Sequence, residues 1–170
     1  MVIAVRAPGA ARRMAQAGFT AIELMTVVTI LAVLAAIAAP SMRELVLTSR
    51  VRAAASELHA TLVRARSEAI TRNAQIDVVP AAGGWANGWQ LLAGATPLES
   101  RPVLEAVEAV PAAPATISYR VDGRISAGQQ VIVFSVPSAA AVKARCVTLD
   151  ASGRASVRVD KDGDPSNGCG

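Results

Sequence analysis

Side chains able to do chemistry are few in this 170-residue sequence, and they fall in three places. His59 is the only histidine, and its surroundings read as helix, so a solvated or half-buried imidazole is expected there. No nucleophile elbow, glycine-rich phosphate loop or cluster of metal-ligand residues accompanies it. Two lone cysteines, Cys146 and Cys169, offer too few ligands to hold zinc. The sequence therefore points away from an enzyme, and no metal or cofactor is expected. What remains is one acid in an apolar run, Glu23 within "AGFTAIELMTVVTILAVLAAIAAP", and a C-terminal group of arginines in "SGRASVRV".

On a strand, Arg154, Ser156 and Arg158 share one face and span about 13 Å. Phosphates of a nucleic-acid backbone need only positioned positive charge, so such a row could hold DNA without sequence preference. Lys143, Arg145 and Lys161 are near in sequence, but Asp150, Asp160, Asp162 and Asp164 nearly cancel the group. A solvated strand face is the other reading. Overall basicity does not decide between them. Three of the 17 basic residues, Arg6, Arg12 and Arg13, precede the apolar run, and without them 14 basic residues face 13 acidic ones.

The elements that position these residues follow from periodicity. Leu24 to Met42 is an uncharged stretch of 19 residues, close to the roughly 20 that a helix needs to cross a bilayer core. Arg12 and Arg13 before it favour a cytoplasmic N-terminus. An ordinary secretory signal is the plainer alternative, but Glu23 interrupts where such a signal should be most apolar. Pro40 predicts a kink or a locally melted stretch. Beyond it Val51, Ala55, Leu58, Leu62, Ala65 and Ala69 form an apolar stripe with helical spacing. Glu68 precedes Arg72 by one turn in the favourable order for an ion pair.

After Asn73 the pattern becomes short β-rich runs: "QIDVV", "WQLLA", "TISYRV", "QVIVFSV", "RCVTL" and "ASVRV". The stretches "AAGG", "ANG", "DGR" and "ASGR" read as turns. Residues 95–116, rich in Pro, Ala and Glu, read as a long surface loop. Trp85 and Trp89 flank the first hairpin and are expected to pack on the helix. The fold class that results is α+β, a long helix on antiparallel sheet.

The stretch "GFTAIELM" resembles the prepilin-peptidase site of type IV pilins and type II secretion pseudopilins, with Ala21 where leucine is more usual. The resemblance implies cleavage after Gly18, N-methylation of Phe19, and Glu23 as the acidic fifth residue of the mature chain. "LHATLVRARSEAITRNAQIDV" followed by "GWANGWQ" resembles the GspH/FimT branch. The implied organisation is a leader over 1–18, a transmembrane assembly helix over 19–42, an amphipathic helix over 43–73, and a β-rich domain over 74–170. The implied partners are other pilins or pseudopilins, the prepilin peptidase, an inner-membrane assembly platform and the inner membrane itself. The β-rich domain is then periplasmic, and the subunit enters a pilus or a pseudopilus.

That setting gives Glu23 a physical role. A carboxylate within a helix in lipid costs about 2.5–3.5 kcal/mol. Cleavage creates a positive amine on Phe19 about 6 Å of helix away, and in a filament Glu23 can meet the amine of a neighbour instead. An unpaired buried charge is penalised, so the acid selects register during assembly. The oxidising side of the membrane also makes a Cys146–Cys169 disulfide the expectation. Some members of the FimT type bind DNA through arginines near a C-terminal Gly-Arg motif, and Gly153-Arg154 with Arg158 partly matches it. Two functions thus remain: a minor pilin or pseudopilin that initiates or caps a filament, and a DNA receptor on the same scaffold.

Overall fold

A computed structural model describes residues 19–111 and 115–169. The chain divides into two compact units, Met1–Ala39 and Pro40–Gly170. A single helix, α1 (Ala21–Arg72, 52 residues), contributes to both. The helical assignment is unbroken at Pro40, so the melted stretch expected there is absent. Proline removes one ladder donor, and the residues on either side of it remain helical.

In the first unit every described residue is exposed, including Ile22, Leu24, Met25, Val28, Leu31 and Ile37. This helix is long and apolar enough to cross a membrane, with a mean hydropathy of 2.4 over its most apolar window. Two threonines inside it return their hydroxyls to the backbone: Thr26 Oγ1 donates to the Glu23 carbonyl and Thr29 Oγ1 to the Met25 carbonyl, each at 2.8 Å. Hydroxyls satisfied in this way can enter lipid without an orphaned donor.

The second unit carries the core. All six residues of the expected stripe are buried, joined by Leu47, Ala54 and Thr61 on the same face of α1. Full burial of a leucine is worth roughly 1.5–3 kcal/mol, and Leu58 and Leu62 are both inaccessible to solvent. Small residues on either side of them, Ala55, Ala65 and Ala69, are also fully buried against the sheets. Two antiparallel four-stranded sheets complete the unit. The first, in the order β3-β2-β1-β5, uses β1 (Ile76–Pro80), β2 (Trp89–Ala93), β3 (Thr96–Arg101) and β5 (Ile117–Tyr119). The second, in the order β4-β6-β7-β8, uses β4 (Glu108–Val110), β6 (Gln130–Ser135), β7 (Arg145–Leu149) and β8 (Ala155–Val159).

Strands β3 and β4 correct the expectation of a featureless loop over 95–116. Strand β3 is an edge strand that is mostly solvent-facing, so it lacks the alternation by which strands are recognised. Its Pro97 falls opposite Leu92, where the β2–β3 register shifts, a place that tolerates a missing donor. Strand β4 has three residues, too short for any pattern, and is defined by its pairing with Ser135, Phe134 and Val133.

Trp85 and Trp89 both pack into the core, with ring centroids 6.4 Å apart and planes tilted by 54°. The indole of Trp89 donates to Thr61 Oγ1 at 3.1 Å, which accounts for the buried hydroxyl on the apolar face of α1. On its solvent side α1 carries ion pairs: Arg50 with Glu105, Arg64 with Glu99 at 2.8 Å, and Arg72 with Glu68. The Arg72 hydrogen bond holds the Glu68 carboxyl below its ordinary pKa.

Candidate assembly and binding sites

The head of α1 is built by two side chains. Thr20 Oγ1 accepts the Glu23 backbone N–H at 3.2 Å, and Glu23 Oε2 accepts the Thr20 backbone N–H at 3.4 Å. This is a reciprocal capping box, in which two of the four orphan donors of a helix start are satisfied. The carboxylate also lies at the positive end of the helix dipole. Local structure therefore lowers the cost of Glu23 near a membrane interface. The sequence signal for it is Thr followed three residues later by Glu. Phe19, next to the cap, is 87% exposed. Gly18 lies outside the described residues.

The other candidate residues gather on the second sheet. Its inner face, with Ile132, Phe134, Val147 and Leu149, belongs to the main core. Its outer face carries a small second cluster of Val133, Ala144 and Cys146, against which Val110, Val131 and Cys169 pack. Cys146 and Cys169 are joined as a disulfide, with Cα atoms 5.9 Å apart. The bond ties the C-terminal tail across the outer face and covers β-sheet residues that would otherwise meet water. The tail is also folded locally: Asp164 Oδ1 accepts the Ser166 N–H at 3.0 Å, and Asn167 donates to Asp162 at 2.8 Å. Bonds from the Asp164 N–H and Asn167 hold the Asp162 carboxyl below its ordinary range.

Beside this cover lies β8, an edge strand. Arg154, at its start, Ser156 and Arg158 are all exposed. Arg158 stands opposite Cys146 and Ser156 opposite Thr148 in the β7–β8 ladder, which places them on the outer face. Of the four aspartates that nearly cancel this charge in the sequence, one lies at the Arg154 end of β8 and three lie beyond the Arg158 end. Asp160, Asp162 and Asp164 follow the far end of β8, where they line a groove with Lys143 and Lys161. Only Asp150 adjoins Arg154. Its carboxyl is held below the ordinary range by the Ser152 hydroxyl first, and then by the Arg154 backbone N–H, which donates to Oδ1 at 3.1 Å. Arg145 is half-buried and opposes Val159. His59 is half-buried on α1, and among the described residues no cluster could hold a metal ion.

A long helix that is apolar and exposed at its start, then amphipathic against antiparallel sheet, with a disulfide-tied C-terminus, defines a pilin-like fold. Residues 54–153 match the family described as "Type II transport protein GspH". The chain belongs to the GspH family, a structural and non-enzymatic branch of pilin-like proteins. A comparison with curated proteins finds no significant match. Among solved structures the chain is similar to the Pseudomonas aeruginosa type IV minor pilin FimU in two crystal forms. One aligns at 19% identity with a TM-score of 0.54, covering 70% of this chain and 99% of FimU. The other aligns at 18% identity with a TM-score of 0.55, covering 72% and 96%.

Proposed function

We propose that this chain is a minor pilin or pseudopilin that helps to initiate or cap a pilus-like filament. The prepilin peptidase cuts after Gly18 and Phe19 is methylated. The helix over 19–42 then holds the subunit in the inner membrane, with its β-rich domain in the periplasm. An inner-membrane assembly platform extracts it into a filament with other pilins or pseudopilins. The observation that supports this most directly is the head of α1: an exposed Phe19, the Thr20–Glu23 box, and a fully exposed apolar helix behind them. The part of α1 before Pro40, with no buried residue in its own subunit, has its packing partners elsewhere, in lipid first and among neighbouring helices afterwards. Glu23→Ala tests the role of the acid. The variant should insert in the membrane at least as well as the wild type, because a charge in lipid is removed, and should fail to crosslink with neighbouring subunits. Normal co-assembly would remove the register argument.

A second reading is a DNA-binding minor pilin serving natural transformation. It is supported by the placement of Arg154, Ser156 and Arg158 on one exposed face of an edge strand.

A further inference from the structure

Two turns on this domain are built alike. In residues 120–124 the Arg120 N–H donates to the Arg124 carbonyl and the Gly123 N–H to the Arg120 carbonyl, each at 2.8 Å. In residues 150–154 the Asp150 N–H donates to the Arg154 carbonyl at 3.2 Å and the Gly153 N–H to the Asp150 carbonyl at 2.9 Å. Each turn has a glycine in the left-handed region, φ 74° at Gly123 and 80° at Gly153. Each ends in an arginine whose backbone N–H donates to an aspartate of the same turn, Asp122 or Asp150, at 3.1 Å.

The twin Gly-Arg turns also touch. A Cβ placed on Gly153 would lie 2.1 Å from the Gly123 carbonyl oxygen, so only glycine allows the approach. Buried Tyr119 fastens the pair from beneath, its hydroxyl donating to the Gly153 carbonyl at 3.4 Å, and burial pushes its pKa up. Arg66 of α1 reaches the same place, with Nε 3.1 Å from the Cβ position of Gly123.

Arg50, Arg64, Arg72 and Arg101 are in ion pairs, whereas none of the ion pairs among the described residues includes Arg66, Arg120, Arg124, Arg154 or Arg158. The two acids within the turns, Asp122 and Asp150, are engaged by turn backbone. From Arg154 to Arg158 the row spans about 13 Å, the axial rise of about four phosphates on one strand of a duplex. Trp85, Trp89, Tyr119 and Phe134 are all buried, so this domain offers no stacking platform for unpaired bases among its described residues.

We propose that the twin turns, with Arg66 and Arg158, form one cradle for the phosphate backbone of duplex nucleic acid, in which Arg120 and Arg124 contribute as much as the β8 row. This extends the DNA-binding reading above and rests on it. The test uses the full chain in non-ionic detergent micelles and short fluorescent duplexes of unrelated sequence, with affinity measured over a salt series. Arg120→Ala with Arg124→Ala should weaken binding to every duplex. It should also flatten the salt dependence by roughly two contacts, so that a fourfold rise in salt loses about 12-fold less affinity than in the wild type. Arg120→Lys with Arg124→Lys should restore the slope, since charge and not packing carries the effect. If the wild type binds and Arg154→Ala with Arg158→Ala flattens the slope while the 120/124 alanine pair matches wild type, the cradle is wrong and the single row stands. If the wild type does not bind duplex at low salt, both fail. Binding to phosphatidylglycerol vesicles with the same arginine dependence but none to duplex would overturn the proposal in favour of lipid phosphate.

Discussion

Breaking the Cys146–Cys169 disulfide should have a large effect for a bond so near the terminus. The bond closes a loop between residues 23 apart in sequence. Chain-entropy bookkeeping for a loop of that size gives about 3.4 kcal/mol of stabilisation, through restriction of the unfolded chain. The tail has few apolar side chains of its own, so without the bond it should leave the outer face and expose Val131, Val133 and Ala144. For a unit the size of Pro40–Gly170, an entropy of unfolding near 2.1 cal/mol/K per residue converts this to a fall in Tm of about 12 °C. The assay is thermal unfolding of the full chain in non-ionic detergent, followed by fluorescence of Trp85 and Trp89, which sit in the main core and not in the tail. The Cys146→Ala, Cys169→Ala pair and the dithiothreitol-treated wild type should agree. A midpoint unchanged within about 2 °C in both would refute the loop-closure reasoning, as would two titratable thiols in natively exported protein.

Other perturbations follow from the same structure. Leu62→Ala leaves a cavity between α1 and the sheets and should cost about 2–5 kcal/mol, seen as a lower denaturation midpoint with an unchanged slope in urea. Asp150 contributes to stability in the sense set by its depressed pKa. The contribution is complete above the unfolded aspartate pKa of about 3.9 and is lost as pH falls through the lower folded value. Acid titration followed by amide exchange should therefore show the Arg154 amide keeping its protection at about pH 3.9 and losing it only as pH falls on through the lower folded value, and Asp150→Asn should remove that pH dependence.

The sequence was most legible where one physical signal dominates. The stripe Val51 to Ala69 has a period that only a helix satisfies, and its residues are all buried. Strands β2, β7 and β8 fall on the runs "WQLLA", "RCVTL" and "ASVRV", each bounded by turn residues. Strand β3 was not legible because an edge strand half in water has no need of apolar alternation. Strand β4 was invisible because pairing alone defines three residues. The basic face was legible only in its β8 part. "DGR" and "ASGR" both read as turns, but nothing local shows that Gly123 and Gly153 are pressed together, 30 residues apart in sequence, with Arg66 of the helix beside them.

Under the proposed function, residues 1–18 are a prepilin leader and the mature subunit starts at the head of α1. Membrane-extracted protein should give Phe19 as the first residue on N-terminal sequencing, carrying one added methyl group by mass, and Gly18 replaced by a bulky residue should leave the leader attached. A mature terminus near Ala39 or Pro40 would mean a secreted domain without its helix, and would contradict the assembly role.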